Sequence, residues 1–389
     1  MLESPLAPLV LGIPPVFENG ILLIGSFLLL LLGAEVFTNG VEWLGHRLGV
    51  SESATGSILA AVGTALPETM IPVIAIVNGL LSGDMSAADE VGVGAILGAP
   101  FMLSTIAMFL IGVSVLYFGS RRSFGKRFHF NHVSTRRDLS FFLVGYTLAF
   151  LAALVQSRLI AISIAFLLVA LYVAYVYRSL QKGDLIEGEG LEALYLGMII
   201  ESGREPVPSV GVESNPSTDP NKGLVILQTL IALAIIIGGA HLFVEEVGYF
   251  ATEVLDFPAA ILALLLAPLA TELPEKFNSV IWISRDKDTL AIGNITGAMA
   301  FQGTLPVTLG ILFTSWNLTL QWGTTGFLNA FSAILALISG TFLYARARSI
   351  KEGNMHPMPF LIGGLFYLLF LVVTVFHVLY LGVTVSGGH

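Results

Sequence analysis

The chain has 389 residues, of which 55% are hydrophobic and only 12% are charged, with a net charge of -9. Soluble proteins carry about 25% charged residues, so this composition excludes a water-soluble globular protein. Apolar stretches of about twenty residues, long enough to cross a bilayer as helices, recur along the chain. Cys is absent, which excludes disulfides and thiolate metal sites. No Lys or Arg precedes Arg47, so we expect no cleavable signal peptide.

Ten transmembrane helices are predicted, which makes the fold an all-α membrane protein. They cover residues 20–38, 56–80, 90–117, 139–156, 159–177, 224–244, 258–283, 289–314, 325–344 and 358–381. Lys and Arg concentrate in the loops that follow odd-numbered spans, whereas the loops of the other parity carry only Arg158. Basic loops favour the cytoplasmic side. We therefore expect both termini outside, in what we take to be a prokaryotic plasma membrane.

The spans divide into two groups of five. We predict a first half at residues 1–178, a flexible cytoplasmic loop at 179–223 and a second half at 224–389. The end of the loop is polar and rich in Pro, as expected of a linker. Its glutamates leave a regulatory ion site open as an alternative to solvated linker charge.

Two sequence motifs recur in both halves. The segment Leu59-Ala-Ala-Val-Gly-Thr-Ala-Leu-Pro-Glu68 aligns without gaps on Leu266-Ala-Pro-Leu-Ala-Thr-Glu-Leu-Pro-Glu275. One span later, Gly94-Ala-Ile-Leu-Gly-Ala99 aligns on Gly293-Asn-Ile-Thr-Gly-Ala298, and Asp288 is expected to cap the second of these helices. Five crossings per half reverse the chain direction, so we expect two inverted five-helix repeats.

The repeated glutamates Glu68 and Glu275 are the first functional candidates. A carboxylate near the bilayer centre costs at least about 2.5 kcal/mol, although a protonated Glu in a helix–helix hydrogen bond would be a structural alternative. The preceding prolines free backbone carbonyls, and Thr64 and Thr271 lie one turn before each Glu. Carboxylates, carbonyls and hydroxyls together form the oxygen ligand set that Ca²⁺ prefers.

These paired Thr-x-Leu-Pro-Glu elements, each followed by Gly-x-Ile-x-Gly, resemble the two alpha repeats of the cation/calcium antiporter superfamily, the sodium/calcium exchangers. The resemblance implies that Glu68 and Glu275 hold Ca²⁺ at the membrane centre, while Thr64, Thr271 and Asn294 supply supporting oxygens. It implies metal cations and the lipid bilayer as partners, with no nucleic acid, no cofactor beyond the transported Ca²⁺ with Na⁺ or H⁺, and no enzymatic activity. Oligomeric state is not predicted.

The sequence departs from the family pattern at several positions. Oxygen ligands expected of sodium sites are replaced by the side chains of Ala65, Ala95, Ala99, Pro100 and Met299, and Glu272 stands where Ser is usual. Glu272 faces Lys276 at i+4, so the ammonium could neutralise a carboxylate, unless Lys276 extends to the membrane surface. Glu272 and Lys276 are therefore candidates for proton coupling, as well as for cation binding in the case of Glu272.

The predicted function is a secondary antiporter that exchanges Ca²⁺, or a similar divalent cation, for Na⁺ or H⁺ by alternating access. No Walker A motif is present, so ion gradients must supply the energy. One alternative is a strictly proton-coupled exchanger of another divalent cation. A more remote alternative is an intramembrane hydrolase that uses the two repeated glutamates, but the sequence contains no nucleophile elbow or His-Glu-x-x-His motif.

Overall fold

The structure is a computed structural model that describes residues 15–83, 93–155, 157–181, 191–202, 220–254, 272–316, 318–350 and 354–381. Its helices are α1 (Pro15–Leu48), α2 (residues 52–82), α3 (Val93–Phe118), α4 (His132–Leu154), α5 (Arg158–Leu180), α6 (Tyr195–Ser202), α7 (residues 222–254), α8 (Leu273–Ser284), α9 (Asp288–Gln302), α10 (Leu305–Phe313), α11 (Thr325–Arg348) and α12 (Met358–Leu381). Strands β1 (Phe128–His129) and β2 (Asn354–Met355) form one antiparallel pair.

Eight stretches of the described residues are helical, long and apolar enough to cross a bilayer. They are Pro15–Leu48, Val93–Phe118, His132–Leu154, Arg158–Leu180, Lys222–Phe243, Asp288–Phe313, Gly326–Arg348 and Met358–His377. The predicted span 56–80 lies within α2, which is helical throughout. Of the predicted span 258–283, residues 258–271 lie outside the described residues. The protein is thus a mostly helical multi-pass membrane protein.

Several helices extend past their predicted bounds, among them α1, α4 and α7, and one predicted span is interrupted. Helix α1 continues ten residues past the predicted end at 38, because Glu42 and Trp43 find partners within the protein: Lys287 bonds Glu42, and Trp43 Nε1 donates to the Glu192 carbonyl at 2.8 Å. The predicted span 289–314 is broken into α9 and α10 between Gln302 and Leu305. Pro306 lacks a backbone N–H and favours a helix start.

The helices pack in a set of pairs around a core formed mainly by α3, α4, α9 and α11. Helix α1 packs along α7, and α4 packs on α11. Helix α9 packs on both α2 and α4, while α3 packs on both α8 and α11. At the periphery, α5 packs on α10 and α12 packs on α3. Long apolar side chains on the outer faces of α1, α5, α7 and α12 are exposed, as expected of surfaces in contact with lipid.

Three loops of the predicted cytoplasmic group meet at one end of the bundle. Strand β1, after α3, pairs with β2, which precedes α12. Arg122, in the same loop as β1, donates to both oxygens of Asp288 at 2.6 and 2.5 Å. The Asp288 carboxylate therefore does not cap α9 as predicted; it also accepts from the His129 N–H at 2.7 Å.

Asp286 strengthens this junction. Its carboxylate accepts from Arg122 Nε at 3.2 Å and from the Ser123 N–H and hydroxyl, each at 2.9 Å. Burial opposes ionisation of Asp286, but the Ser123 and Arg122 donors outweigh it and hold the pKa of Asp286 below its usual range. The carboxylate therefore stays ionised at neutral pH and ties two loops together.

Part of the predicted flexible loop is folded against the helices. Residues 191–202 include α6, and the Leu196 N–H donates to Gln228 Oε1 on α7 at 2.7 Å. Gln228 Nε2 in turn donates to Asn39 Oδ1 on α1 at 2.8 Å. Linker prediction missed this because many of the contacts are made by backbone groups of the loop, which composition does not show. The remainder of the loop, at 182–190 and 203–219, lies outside the described residues.

Candidate cation site

The polar site lies where the first repeated motif, on α2, meets the second half of the chain, on α8 and α9. Thr64 is fully buried on α2, and its hydroxyl lies 3.0 Å from the Ala60 carbonyl and 3.4 Å from Asn294 Oδ1. Small residues around Thr64, among them the buried Ala60 and Ala61, allow α9 to approach closely. Two predicted oxygen donors from opposite halves are therefore in contact.

Asn294 joins this contact to α8. Its Nδ2 donates to the Glu275 carbonyl at 3.1 Å and to Ser279 Oγ at 3.2 Å. Ser279 Oγ donates back to the Ala291 carbonyl of α9 at 3.1 Å. These bonds leave the Asn294 amide with its oxygen directed at Thr64 and its nitrogen directed at α8, an orientation fixed from both sides.

Glu275 lies in the first turn of α8 and is fully buried. Helix α8 begins at Leu273 with Pro274 beside it, so the motif Leu-Pro-Glu opens a helix in this half. In the first half the same motif lies inside α2, where the helix continues through Pro67. A helix N-terminus favours a negative charge through its dipole and free N–H groups, which suits the position of Glu275.

Glu272 and Lys276 form a buried ion pair at the start of α8. Lys276 Nζ lies 3.0 Å from Glu272 Oε2 and 3.2 Å from the Glu272 carbonyl, and both side chains are at most 2% exposed. The pairing predicted from the i+4 spacing is thus present. Extension of Lys276 to the surface, the alternative, is wrong because its ammonium is directed back along the helix to the carboxylate.

Asn278 is a polar residue of this region that the sequence analysis missed. It is fully buried, and neither of its amide atoms has a hydrogen-bond partner among the described residues. Three residues after Glu275, it lies on the same face of α8. An unmade hydrogen bond in a buried group costs about 1–3 kcal/mol. A single Asn in an apolar helix gives little signal in sequence, and its spacing from Glu275 was the available indication.

A buried carboxylate outside the repeated motifs supports the contact between α2 and α9. Asp138 on α4 is fully buried and accepts from Ser57 Oγ at 2.6 Å and from Thr296 Oγ1 at 2.9 Å. Ser57 belongs to the π-helical segment of α2, and Thr296 belongs to α9. Arg137 balances the charge at 3.0 Å. Asp138 thus fixes α2 against α9 two turns away from Thr64, another role that the sequence analysis missed.

Two of the predicted ligands lie partly or wholly outside the described part of the structure. The backbone of Glu68 lies in α2, one turn after Thr64, but its side chain is outside the described part of the structure, and Thr271 is outside the described residues. Within the described residues, no three His, Asp or Glu side chains cluster as a metal site. The described oxygens near Glu275 therefore come mainly from Thr, Ser and Asn.

A family model described as "Sodium/calcium exchanger protein" matches this chain over residues 19–181 and 224–379. The protein belongs to the sodium/calcium exchanger family. The match leaves out most of the central loop and covers both sets of helices that build the site. Members of this family are cation exchangers of the membrane, so the cation/calcium antiporter resemblance is confirmed.

Individual relatives agree with the family. The chain is 29% identical over 89 residues to the sodium/calcium exchanger MaX1 of Methanosarcina acetivorans, and 32% identical over 94 residues to the membrane protein MJ0091 of Methanocaldococcus jannaschii. These alignments cover 22% and 23% of this chain, and 25% and 31% of the relatives. The aligned segments thus span under a third of either relative.

Solved structures extend the similarity to the whole fold. The sodium–calcium exchanger NCX_Mj, in a structure soaked with Na⁺ and Sr²⁺, matches with a TM-score of 0.65 at 17% identity, over 92% of this chain and 98% of that one. A structure of NCX_Mj without Na⁺ and Ca²⁺ matches with a TM-score of 0.62 at 18% identity, over 91% and 99%. At this identity the likeness shows the fold.

Proposed function

We propose that this exchanger carries Ca²⁺, or a similar divalent cation, in exchange for Na⁺ or H⁺ by alternating access between two inverted five-helix halves. The observation that carries the proposal is the contact between Thr64 of the first repeated motif and Asn294 of the second half, which in turn holds the Glu275 backbone. A cation bound here contacts both halves at once, as alternating access requires.

The packing of the helices supports inverted halves. If the halves are related by a twofold axis, each contact between them has an equivalent contact. The α2–α9 contact is equivalent to α8–α3, the α4–α9 contact to α11–α3, and the α5–α10 contact to α12–α3. All six contacts are present. A Cβ on Gly33 of α1 would meet Ile236 of α7, and a Cβ on Gly239 of α7 would meet Leu30 of α1. Each Gly thus faces the residue that lies three positions before the Gly of the other helix.

The third span of each half is irregular at equivalent positions. Aligning Gly94 with Gly293 places the π-helical segment Leu103–Ala107 of α3 on residues 302–306, where α9 ends and α10 begins. Irregular backbone at membrane depth is tolerated where it is buried in protein or lines a cavity. This correspondence supports ten spans, a first half at 1–178 and a second at 224–389.

The proposed ligands are Glu68 and Glu275, supported by Thr64, Thr271, Asn294 and Asn278. Glu272 is also a candidate ligand, but its charge is neutralised by Lys276. We therefore propose Glu275 as the carrier of the proton.

We further propose that both termini lie outside. The loops after α3 and after α8 and the central loop lie on the opposite side, and these loops are rich in basic residues. The proton-specific exchanger remains the second candidate, favoured by the sequence, in which Ala95, Ala99, Pro100 and Met299 carry no side-chain oxygen for dehydrated Na⁺.

Flux in proteoliposomes tests the function. Uptake of ⁴⁵Ca²⁺ is measured with a Na⁺ gradient alone and with a pH gradient alone, and we expect at least one gradient to drive accumulation. Glu275→Gln and Glu68→Gln should each reduce exchange by at least a hundredfold, because each removes one anionic ligand. Glu253→Gln, at the end of α7, is the matched control and should retain flux. Normal exchange in either motif variant would refute the ligand assignment.

A further inference from the structure

A short segment of the central loop, residues 191–196, is docked on both α1 and α7. The Glu192 carbonyl accepts from Trp43 Nε1 on α1 at 2.8 Å, and two N–H groups of the segment donate to one side chain on each helix. Leu194, which is only 4% exposed, forms a small apolar cluster with Trp43 and with Val225 of α7. Paired backbone groups and a buried apolar side chain fix a segment in place. This part of the loop is therefore joined to the α1–α7 pair.

Side chains of the same segment reach the turn between α8 and α9. Glu192 Oε2 lies 3.6 Å from Arg285 Nη2, which also pairs with Glu35 of α1. The Tyr195 hydroxyl lies 2.7 Å from Glu35 Oε1 and 3.0 Å from Glu192 Oε2. Burial and the bond to Glu35 raise the pKa of Tyr195 to about 12, so the hydroxyl keeps its proton at neutral pH and donates to these carboxylates. Arg285 is thus held jointly by the loop and by α1.

Helix α8 leads from the candidate site to this turn. Trp282 lies about 10 Å beyond Glu275 along the helix, and its Nε1 donates to Glu42 Oε1 of α1 at 2.8 Å. Trp282 is fully buried, and Glu42 is only 3% exposed. The buried Asn278 lies one turn before Trp282 on the same face of α8. The contact between α1 and α8 therefore covers the site on the side of the loops.

We infer that residues 192–195 are a strap that keeps the loop side of the candidate site closed by tying α1 to the turn between α8 and α9. This inference rests on the proposed antiport, in which each side of the site opens in turn. Opening on the loop side separates α1 from α8 at Trp282, and the strap opposes this because Arg285 then loses its partners. Glu35 and Glu192 are partly exposed. Such ion pairs are individually weak, so the strap can release in each cycle.

Thiol labelling measures how often the loop side opens. The chain has no Cys, so Asn278→Cys introduces a single thiol behind the contact of Trp282 with Glu42. A membrane-impermeant methanethiosulfonate reagent is added to membrane vesicles of either orientation, and the reaction rate follows the population of the open state. In this background Tyr195→Phe, which removes only the strap hydroxyl, should raise the loop-side rate about tenfold, the population shift for about 1.4 kcal/mol. The rate from the opposite side should stay equal or fall.

A second strap variant and a matched control keep the inference falsifiable. Glu192→Gln removes the strap carboxylate and should act like Tyr195→Phe. Tyr177→Phe, the control, removes the same hydroxyl from an exposed side chain of α5 and should leave the rate unchanged. A loop-side rate that is unchanged in both strap variants, raised equally in the control, or raised equally from both sides would overturn the inference. Labelling needs no transport, so absence of Ca²⁺ exchange under both gradients would refute the proposed function while the labelling rates still decide on the strap.

Discussion

At the scale of single residues, the two buried asparagines of the site differ in their hydrogen bonding. Asn294 accepts a hydrogen bond from the Thr64 hydroxyl and donates one to the Glu275 carbonyl. It therefore links the two repeated motifs and also contributes an oxygen to the site. Asn278 has no such structural bond among the described residues. A buried amide that does not stabilise the fold is retained at a cost in stability, which is a property of functional sites.

Asn278→Leu tests this distinction. The substitution keeps the branched shape and the number of side-chain heavy atoms but removes the buried amide, so we expect an unchanged or higher melting temperature. If Asn278 Oδ1 is a ligand, the half-saturating Ca²⁺ concentration should rise about tenfold, which corresponds to about 1.4 kcal/mol. Thermal shift titrations with Ca²⁺ measure both quantities in one experiment. Unaltered Ca²⁺ affinity in the Leu variant would show that Asn278 is not a ligand.

At the scale of helices, close approach of α2 and α9 positions the site. Gly297 makes this approach possible, because a Cβ at 297 would lie 2.1 Å from the Ser57 carbonyl oxygen. Helix backbones that meet over small residues gain packing contacts that larger side chains would prevent. The Asp138 carboxylate then bonds Ser57 and Thr296, one from each helix, and maintains the crossing.

Gly297→Ala should therefore destabilise the protein by about 2 kcal/mol, within the range for overpacking. Gly98→Ala is the matched control at the equivalent repeat position, where a Cβ would meet nothing within 4 Å. Since Ala has the higher helix propensity, the control should be neutral or slightly stabilised. Unfolding of the purified variants in detergent compares the two. Equal stability of both variants would contradict the proposed helix contact.

At the scale of the whole molecule, ion pairs at one end connect the two halves of the chain. Arg122, from the loop after α3, holds both Asp286 and Asp288 between α8 and α9. Glu35 and Glu42 on α1 pair with Arg285 and Lys287 in the turn between α8 and α9. This turn, which follows the candidate site, is thus fixed to the first half by charge as well as by packing.

Asp286→Asn should weaken this connection in a pH-dependent way. Because the pKa of Asp286 is lowered in the folded protein, its stabilising contribution is present above the unfolded value of about 3.9 and is lost as the pH falls through the folded pKa. The variant should therefore melt at a lower temperature than the wild type at pH 6 to 7, and the difference should shrink below about pH 4. A difference that is constant over this range would contradict the ionic origin of the effect.

The sequence by itself determined the class of protein and the residues worth testing. Hydropathy predicts membrane spans because each must bury its own backbone groups in lipid, and the repeated Thr-x-Leu-Pro-Glu motif indicated the exchanger family before any geometry. The i+4 spacing also predicted the Glu272–Lys276 pair, since neighbours on one helix are fixed by local geometry.

Contacts between distant segments were decided only by the tertiary structure. Nothing local indicates that Asp138 bonds Ser57 and Thr296, that Arg122 reaches Asp288, or that residues 191–202 dock on α1 and α7. Such partners depend on helix packing, which brings together residues far apart in sequence. The break between α9 and α10 was missed because hydropathy records lipid compatibility and does not register an interruption of the helix inside an apolar segment.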